Sequence, residues 1–179
     1  MVSQLIERIR QKDQRAMSQL YQIYVEELSS VCYRYVPDYD DAKDILQNSF
    51  VKIFTSVSAL EYRGEESFKA WMKRIVANEA LTHLKQQKKL VFMEHNIVDE
   101  EPLDEEPQTE RVSADELHRL ISELPNGYRM VLNLYVFEDY SHRQIAEMLH
   151  ISESTSASQF YHAKRLLAKS IKELTKSKR

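Results

Sequence analysis

The side chains with most to offer chemically lie near the C-terminus, on a stretch whose spacing predicts a helix. Ser156, Phe160, Ala163 and Leu167 recur at four, three and four residues and would face inward with Ile145, Ala146, Leu149 and Ile151. That leaves Thr155, Ser158, Gln159, His162 and Arg165 together on the outward face. Hydroxyls, an amide, an imidazole and a guanidinium beside a helix N-terminus can donate to phosphates and to base edges in a major groove. Gln159 has the geometry to pair with adenine, and Arg165 with guanine. Lys164, Lys169, Lys172, Lys176, Lys178 and Arg179 would add salt-dependent phosphate contacts. An ordinary solvated helix face looks much the same, so the reading depends on what precedes it.

What precedes it is a tight connection between capped helices. Ser141, with Gln144 three residues on, forms a capping box for HRQIAEML, and Ser152 can cap the helix opening ESTSASQF. Only His150 and Ile151 separate the two, which is the spacing of a helix-turn-helix.

Two further segments carry candidate surfaces. From Ser67 to Lys89 a predicted helix interleaves Phe68, Trp71, Met72 and Ile75 with Lys69, Lys73, Arg74, Lys85, Lys88 and Lys89. Cations beside aromatic rings suit unstacked single-stranded nucleic acid, although a lone tryptophan on a helix is more often core. Between Asp41 and Val57, Ala42, Ile45, Leu46, Ser49, Phe50, Ile53 and Phe54 make an apolar stripe opposite Lys43, Asp44, Gln47, Asn48 and Lys52. Taken alone, that polar side reads equally as an interface or as a face that meets water.

Catalytic patterns are missing. The six histidines form no H-E-x-x-H, and neither G-x-S-x-G nor a phosphate-cradling glycine loop occurs. The single cysteine, Cys32, allows no intrachain disulfide or cysteine-rich zinc site and reads as a small buried hydrophobe. No catalytic residue, metal or cofactor is expected.

The elements needed to position these surfaces follow from composition. In 179 residues there are only 2 glycines and 4 prolines, with 42% hydrophobic and 30% charged positions, which points to an all-α chain. Leu5 to Tyr35 predicts two helices ending at Pro37; Asp40 or Asp41 would cap the third, and Ser67 the fourth, after a polar loop around Glu61–Glu66. Leu117, Leu120, Ile121 and Leu124 predict a helix stopped by Pro125-Asn126-Gly127, with another from Tyr128 to about Phe137. Residues 91–110 hold eight acids, two prolines and no Lys or Arg, and read as a linker between helical domains 1–90 and 111–179. Without those eight, 25 basic residues face 20 acidic ones, so the overall charge of −3 hides a bipolar chain. No run reaches the length of a membrane span, and the N-terminus lacks a signal-peptide core, so a cytoplasmic protein with no membrane insertion is expected.

With those motifs in view, the run Asp41-Ala42-Lys43-Asp44-Ile45-Leu46-Gln47-Asn48-Ser49-Phe50-Val51-Lys52-Ile53-Phe54 resembles the polymerase-binding helix of bacterial sigma factors. Phe68 to Ala80 resembles the promoter-melting segment that follows it, and Leu124 to Leu166 is similar to the family's C-terminal helix-turn-helix domain. Two such domains with only a short linker match the extracytoplasmic-function class. The SESTSASQ stretch resembles variants common among Bacteroidetes sigma factors.

The resemblance implies partners residue by residue. Asp41, Asp44, Gln47 and Asn48 would meet core RNA polymerase; Tyr62, Arg63, Lys69, Trp71, Lys73, Arg74 and Asn78 would meet the opened −10 element of promoter DNA. Ser154, Thr155, Ser158, Gln159, His162 and Arg165 would lie on the duplex −35 element. An anti-sigma factor is implied as a further partner. Ala157, Gln159 and His162 stand where family members often carry Lys or Arg, which makes this recognition helix less basic. The competing expectation is a stand-alone helix-turn-helix regulator that binds a palindromic duplex and gives Asp44, Gln47 and Asn48 no role.

Overall fold

A computed structural model describes residues 1–92 and 109–177, and all regular structure among them is helical. The chain divides into two compact units, Met1–Gln86 and Gln87–Arg179. Most of the expected acidic linker, residues 93–108, lies outside the described residues; at its end Thr109–Arg111 form a 3-10 turn.

The first unit contains α1 (Val2–Arg10), α2 (Gln14–Tyr35), α3 (Tyr39–Ser56), a 3-10 turn (Val57–Ala59) and α4 (Glu65–Gln86). Helix α2 starts at Asp13, whose Oδ1 accepts from the backbone of Arg15 and Ala16 at 2.8 and 3.2 Å. The hydrogen bond from Arg8 and those backbone donors hold the Asp13 carboxyl below its ordinary range. It ends just before Pro37, which disfavours helical backbone in the residue ahead of it.

The cap of α3 is Asp38 rather than Asp40 or Asp41. Its Oδ1 accepts from Asp41 N at 3.0 Å, and the two expected capping residues fall instead in the first turn, where the helix dipole favours acids. Helix α4 likewise begins earlier than Ser67. Gly64, at φ +113°, makes the turn that other residues resist, and its carbonyl accepts from Phe68 N at 3.1 Å. The polar loop is thereby cut to Leu60–Gly64.

Helices α2, α3 and α4 pack on one another, with α1 against α2 and the 3-10 turn. Ile6, Leu20, Tyr24, Leu28, Ile45, Ile53, Phe68 and Met72 are all essentially inaccessible. Burial of each large apolar side chain contributes about 1.5–3 kcal/mol, so this core orients the polar faces of α3 and α4. Cys32 is buried as expected, and desolvation pushes its thiol up to about 12.

In the second unit, α5 (Ala114–Ser122), α6 (Asn126–Val136) and α7 (His142–Leu149) pack around the long α8 (Glu153–Ser177). Ser113 with Glu116 and Ser141 with Gln144 form capping boxes on α5 and α7. Pro125-Asn126-Gly127 does not act as a stop followed by a helix at Tyr128. Pro125 is the N-cap, its carbonyl accepts from Arg129 N at 2.9 Å, and Asn126 and Gly127 are the first helical residues.

Arg129 explains how so short a corner holds. Its buried guanidinium donates to the carbonyls of Ser122 and Leu124 at 2.9 and 2.6 Å and to Asn126 Oδ1, satisfying the end of α5. Desolvation lowers its pKa to about 10, so it remains charged at neutral pH. Between α7 and α8, His150 takes the left-handed conformation at φ 57°, and Ile151 N reaches back to Ala146 O at 3.1 Å. Ser152 Oγ accepts from Thr155 N at 2.9 Å, the expected cap of α8.

Candidate functional site

On α3 the apolar stripe fixes which side faces out. Ala42, Ile45, Ser49 and Ile53 are buried, while Asp44, Gln47 and Asn48 are exposed. The spacing of these three continues to Val51, which is 57% exposed. Sequence periodicity had no way to single out Val51, because its type belongs in a core. Asp41 stands apart from this group: half-buried, it lies 3.2 Å from His83 Nε2 on α4 and ties the two helices together.

The loop Leu60–Gly64 and the outer side of α4 make a second surface, and here the expected cations have partners. Arg63 pairs with Glu61 at 2.7 Å, Lys73 with Glu27 of α2 at 2.7 Å, and Lys69 with Glu66 and Glu65 at 3.2 and 3.6 Å. The hydrogen bond to Glu66 and the neighbouring acids raise the Lys69 pKa. Solvent-accessible pairs of this kind are weak, so an incoming phosphate can displace the carboxylates at little cost. Arg74 and Asn78 are exposed on the same helix.

Trp71 is neither wholly core nor wholly platform. It is half-buried and stacks on the buried Phe68 with centroids 5.6 Å apart. Tyr24 and Tyr62 meet Phe68 edge-on at 5.9 and 6.2 Å, so Phe68 is the anchor that sets both Trp71 and Tyr62.

The outward face expected of α8 differs most from what the spacing predicts. Ser156 and Ala163 point inward as spacing requires, and Phe160 and Leu167 are half-buried. Ser154 is exposed and Thr155 and Arg165 are half-buried. Ser158, Gln159 and His162, however, are buried rather than presented outward. His162 stacks on Tyr128 of α6 at 5.9 Å. Gln159 lies beside the segment Lys89–Phe92, which approaches the start of α6 so closely that a Cβ on Gly127 would sit 2.3 Å from Val91 O, 3.1 Å from Gln159 Oε1 and 3.3 Å from Phe92 Cδ1. Asn126 Nδ2 donates to Lys89 O at 3.0 Å and fixes the segment there. A helical wheel counts only a helix's own periodicity and cannot anticipate a docked segment.

Cationic and aromatic side chains flank this region. Arg165 donates to Tyr161 Oη at 3.0 Å, and Lys164 sits 4.9 Å from the Phe160 ring centre. The His142 ring stacks on Tyr135 at 4.5 Å and meets Ser156 Oγ at 3.0 Å, linking the first helix of the pair to the second. Desolvation lowers the His142 pKa. Among the described residues no group of three or more His, Cys, Asp or Glu is placed to hold a metal ion, and no helix is long and apolar enough to cross a membrane.

Comparison with known proteins accounts for this pairing of surfaces. Residues 20–90 match the family model of sigma-70 region 2, and residues 114–167 match that of sigma-70, region 4. The chain is 30% identical to the RNA polymerase sigma factor SigV of Bacillus subtilis, over 76% of this chain and 80% of that protein. It is 26% identical to the RNA polymerase sigma-H factor of Pseudomonas aeruginosa, over 96% of this chain and 94% of that one. It is 28% identical to the ECF RNA polymerase sigma-E factor of Haemophilus influenzae, over 95% of each.

Proposed function

The chain belongs to the sigma-70 family, as an alternative sigma factor of the extracytoplasmic-function class that directs promoter-specific transcription, and from that premise we propose how its surfaces divide the work. Asp44, Gln47 and Asn48 dock on core RNA polymerase, and Asp41 holds α3 against α4 behind them. The observation that carries this assignment is the exposure of those three on one side of a helix whose other side is buried. Val51 extends the contact with an apolar patch.

Tyr62, Arg63, Lys69, Trp71, Lys73, Arg74 and Asn78 meet the unpaired strand of the −10 element. Arg63, Lys69 and Lys73 exchange their carboxylate partners for phosphates, and Trp71, backed by Phe68, offers its other face to a base. Ser154, Thr155 and Arg165 engage the −35 duplex first. Gln159 joins them when Lys89–Phe92 withdraws from the Asn126–Gly127 corner, while the buried Ser158 and His162 back this face from within the unit. Catalysis belongs to the polymerase, so the protein acts where polymerase is, in the cytoplasm. An anti-sigma factor that covers the polymerase and DNA faces keeps it inactive.

The test is competition for core polymerase against a fluorescently labelled primary sigma factor. The wild-type chain displaces the label, and the combined Asp44→Ala, Gln47→Ala, Asn48→Ala variant is expected to need at least about tenfold more protein, about 1.4 kcal/mol. Equal displacement by both, with unchanged thermal stability, would move the polymerase contact off α3.

A further inference from the structure

We propose that Arg10, on the last turn of α1, is a positioning residue for the promoter-reading loop Leu60–Gly64. Its guanidinium reaches across about fifty residues of sequence. Nε donates to Val57 O at 3.3 Å, Nη2 to Leu60 O at 2.5 Å, and Nη1 to Glu7 Oε1 at 2.6 Å. The two carbonyls belong to the 3-10 turn that ends α3 and to the first loop residue. They lie at the negative end of a helical segment, where a cation is favoured.

The two ends of the loop are held differently. At Gly64 the carbonyl enters α4 through Phe68 N, so that end is fixed by the helix. At Leu60 the backbone offers one weak bond, Leu60 N to Val57 O at 3.3 Å. Arg10 therefore supplies the stronger restraint at that end. Glu7, the third partner, keeps the planar fork turned toward the turn, and only a guanidinium can serve all three acceptors at once.

What the restraint shapes is a groove of about 450 Å³ between α1 and the loop, lined by Ser3, Gln4, Glu7, Arg10, Glu61 and Tyr62. Tyr62 forms part of its wall while its ring edge rests on Phe68. Shifting Leu60 would move Glu61 and Tyr62 with it and change the surface offered to an unpaired base. Arg10 thus acts through the loop, without touching DNA.

This inference rests on the assignment of Tyr62 and Arg63 to the −10 element, and the experiment separates the two. Holoenzyme assembled from core polymerase and full-length chain is assayed on a promoter that depends on this protein, with every base substituted at each −10 position. Discrimination is the ratio of initiation rates between the preferred base and the others, and 2-aminopurine fluorescence at the unpaired position reports strand capture. Arg10→Met is expected to reduce −10 discrimination at least about fivefold, with Arg10→Lys intermediate because one donor group replaces the fork. Discrimination at the −35 element and affinity for core should not change. The proposal is overturned if Tyr62→Ala lowers −10 discrimination while Arg10→Met does not. It is also overturned if Arg10→Met lowers initiation equally on all promoters, the signature of a merely stabilising side chain. If Tyr62→Ala and Arg63→Ala both leave −10 discrimination intact, the loop assignment itself fails, and the inference with it.

Discussion

Gly127→Ala isolates the docking of Lys89–Phe92 from the stability of the helices beneath it. Gly127 is the second residue of α6, so an alanine suits the local backbone and in a helix interior would stabilise by about 0.8–1 kcal/mol, less in a first turn. Its Cβ would stand 2.3 Å from Val91 O, whereas carbon and oxygen atoms in close contact settle at about 3.3 Å. The carbonyl must therefore retreat by about 1 Å, and as a backbone atom it has no rotamer to turn to. Retreat loses the Asn126 Nδ2 to Lys89 O hydrogen bond and part of the Phe92 packing, about 1–2 kcal/mol together, or about 5–30-fold in the docked population.

Trypsin reads this directly at Lys88 and Lys89, both exposed where the docked stretch begins. Cleavage after Lys89, followed by mass spectrometry, is expected to accelerate about 5–30-fold in the variant, since cleavage tracks the open population when closing is fast. The melting temperature should fall by no more than the lost docking contacts imply, at most about 2 kcal/mol and offset in part by the helical alanine. An unchanged cleavage rate at unchanged melting temperature would refute the docking, and with it the explanation for the burial of Gln159. A larger fall would mean that the alanine disturbs α6 and its neighbour Gln159, whose Oε1 would lie 3.1 Å from the new Cβ.

Three other expectations follow from single contacts. Arg129→Met should destabilise the second unit by about 3–5 kcal/mol in urea unfolding, because the carbonyls of Ser122 and Leu124 lose their donor in a buried corner; a loss under about 1 kcal/mol would mean that water replaces it. Ser152→Ala should cost about 1 kcal/mol by removing the cap of α8, and weaken −35 duplex binding measured by anisotropy; unaltered stability would show the hydroxyl to be dispensable. Because burial depresses the His142 pKa from its ordinary 6.5, the unfolded chain takes up that proton first as pH falls. Stability of the second unit should therefore decline below about pH 6.5, and His142→Phe should remove that part of the decline; identical pH slopes for both proteins would contradict it.

Much of the fold was legible because helices announce themselves locally. The capping box at Ser141 and Gln144, the stop at Pro37 and the three-four spacing of Ala42, Ile45 and Ser49 are all within a few residues of what they determine. Where competing local signals met, the nearer reading lost. Asp38 won the cap from Asp40 and Asp41, Gly64 started α4 ahead of Ser67, and Pro125 opened α6 where a turn was expected. The exposure of the candidate site residues was legible only where one helix sufficed, as for Asp44, Gln47 and Asn48. The pairing of Lys73 with Glu27, the clamp of Arg10 on Leu60 and the cover over Gln159 join residues 46 to 68 positions apart, and no spacing rule within a helix reaches that far.

The central claim is most directly tested by in vitro transcription with core polymerase on fragmented genomic DNA, with mapping of RNA 5′ ends. The account predicts discrete starts that require this protein, share two upstream elements and disappear with the combined Asp44→Ala, Gln47→Ala, Asn48→Ala variant. No new starts with competent core, alongside site-specific binding of a palindromic duplex by the protein alone, would contradict it and identify a stand-alone regulator.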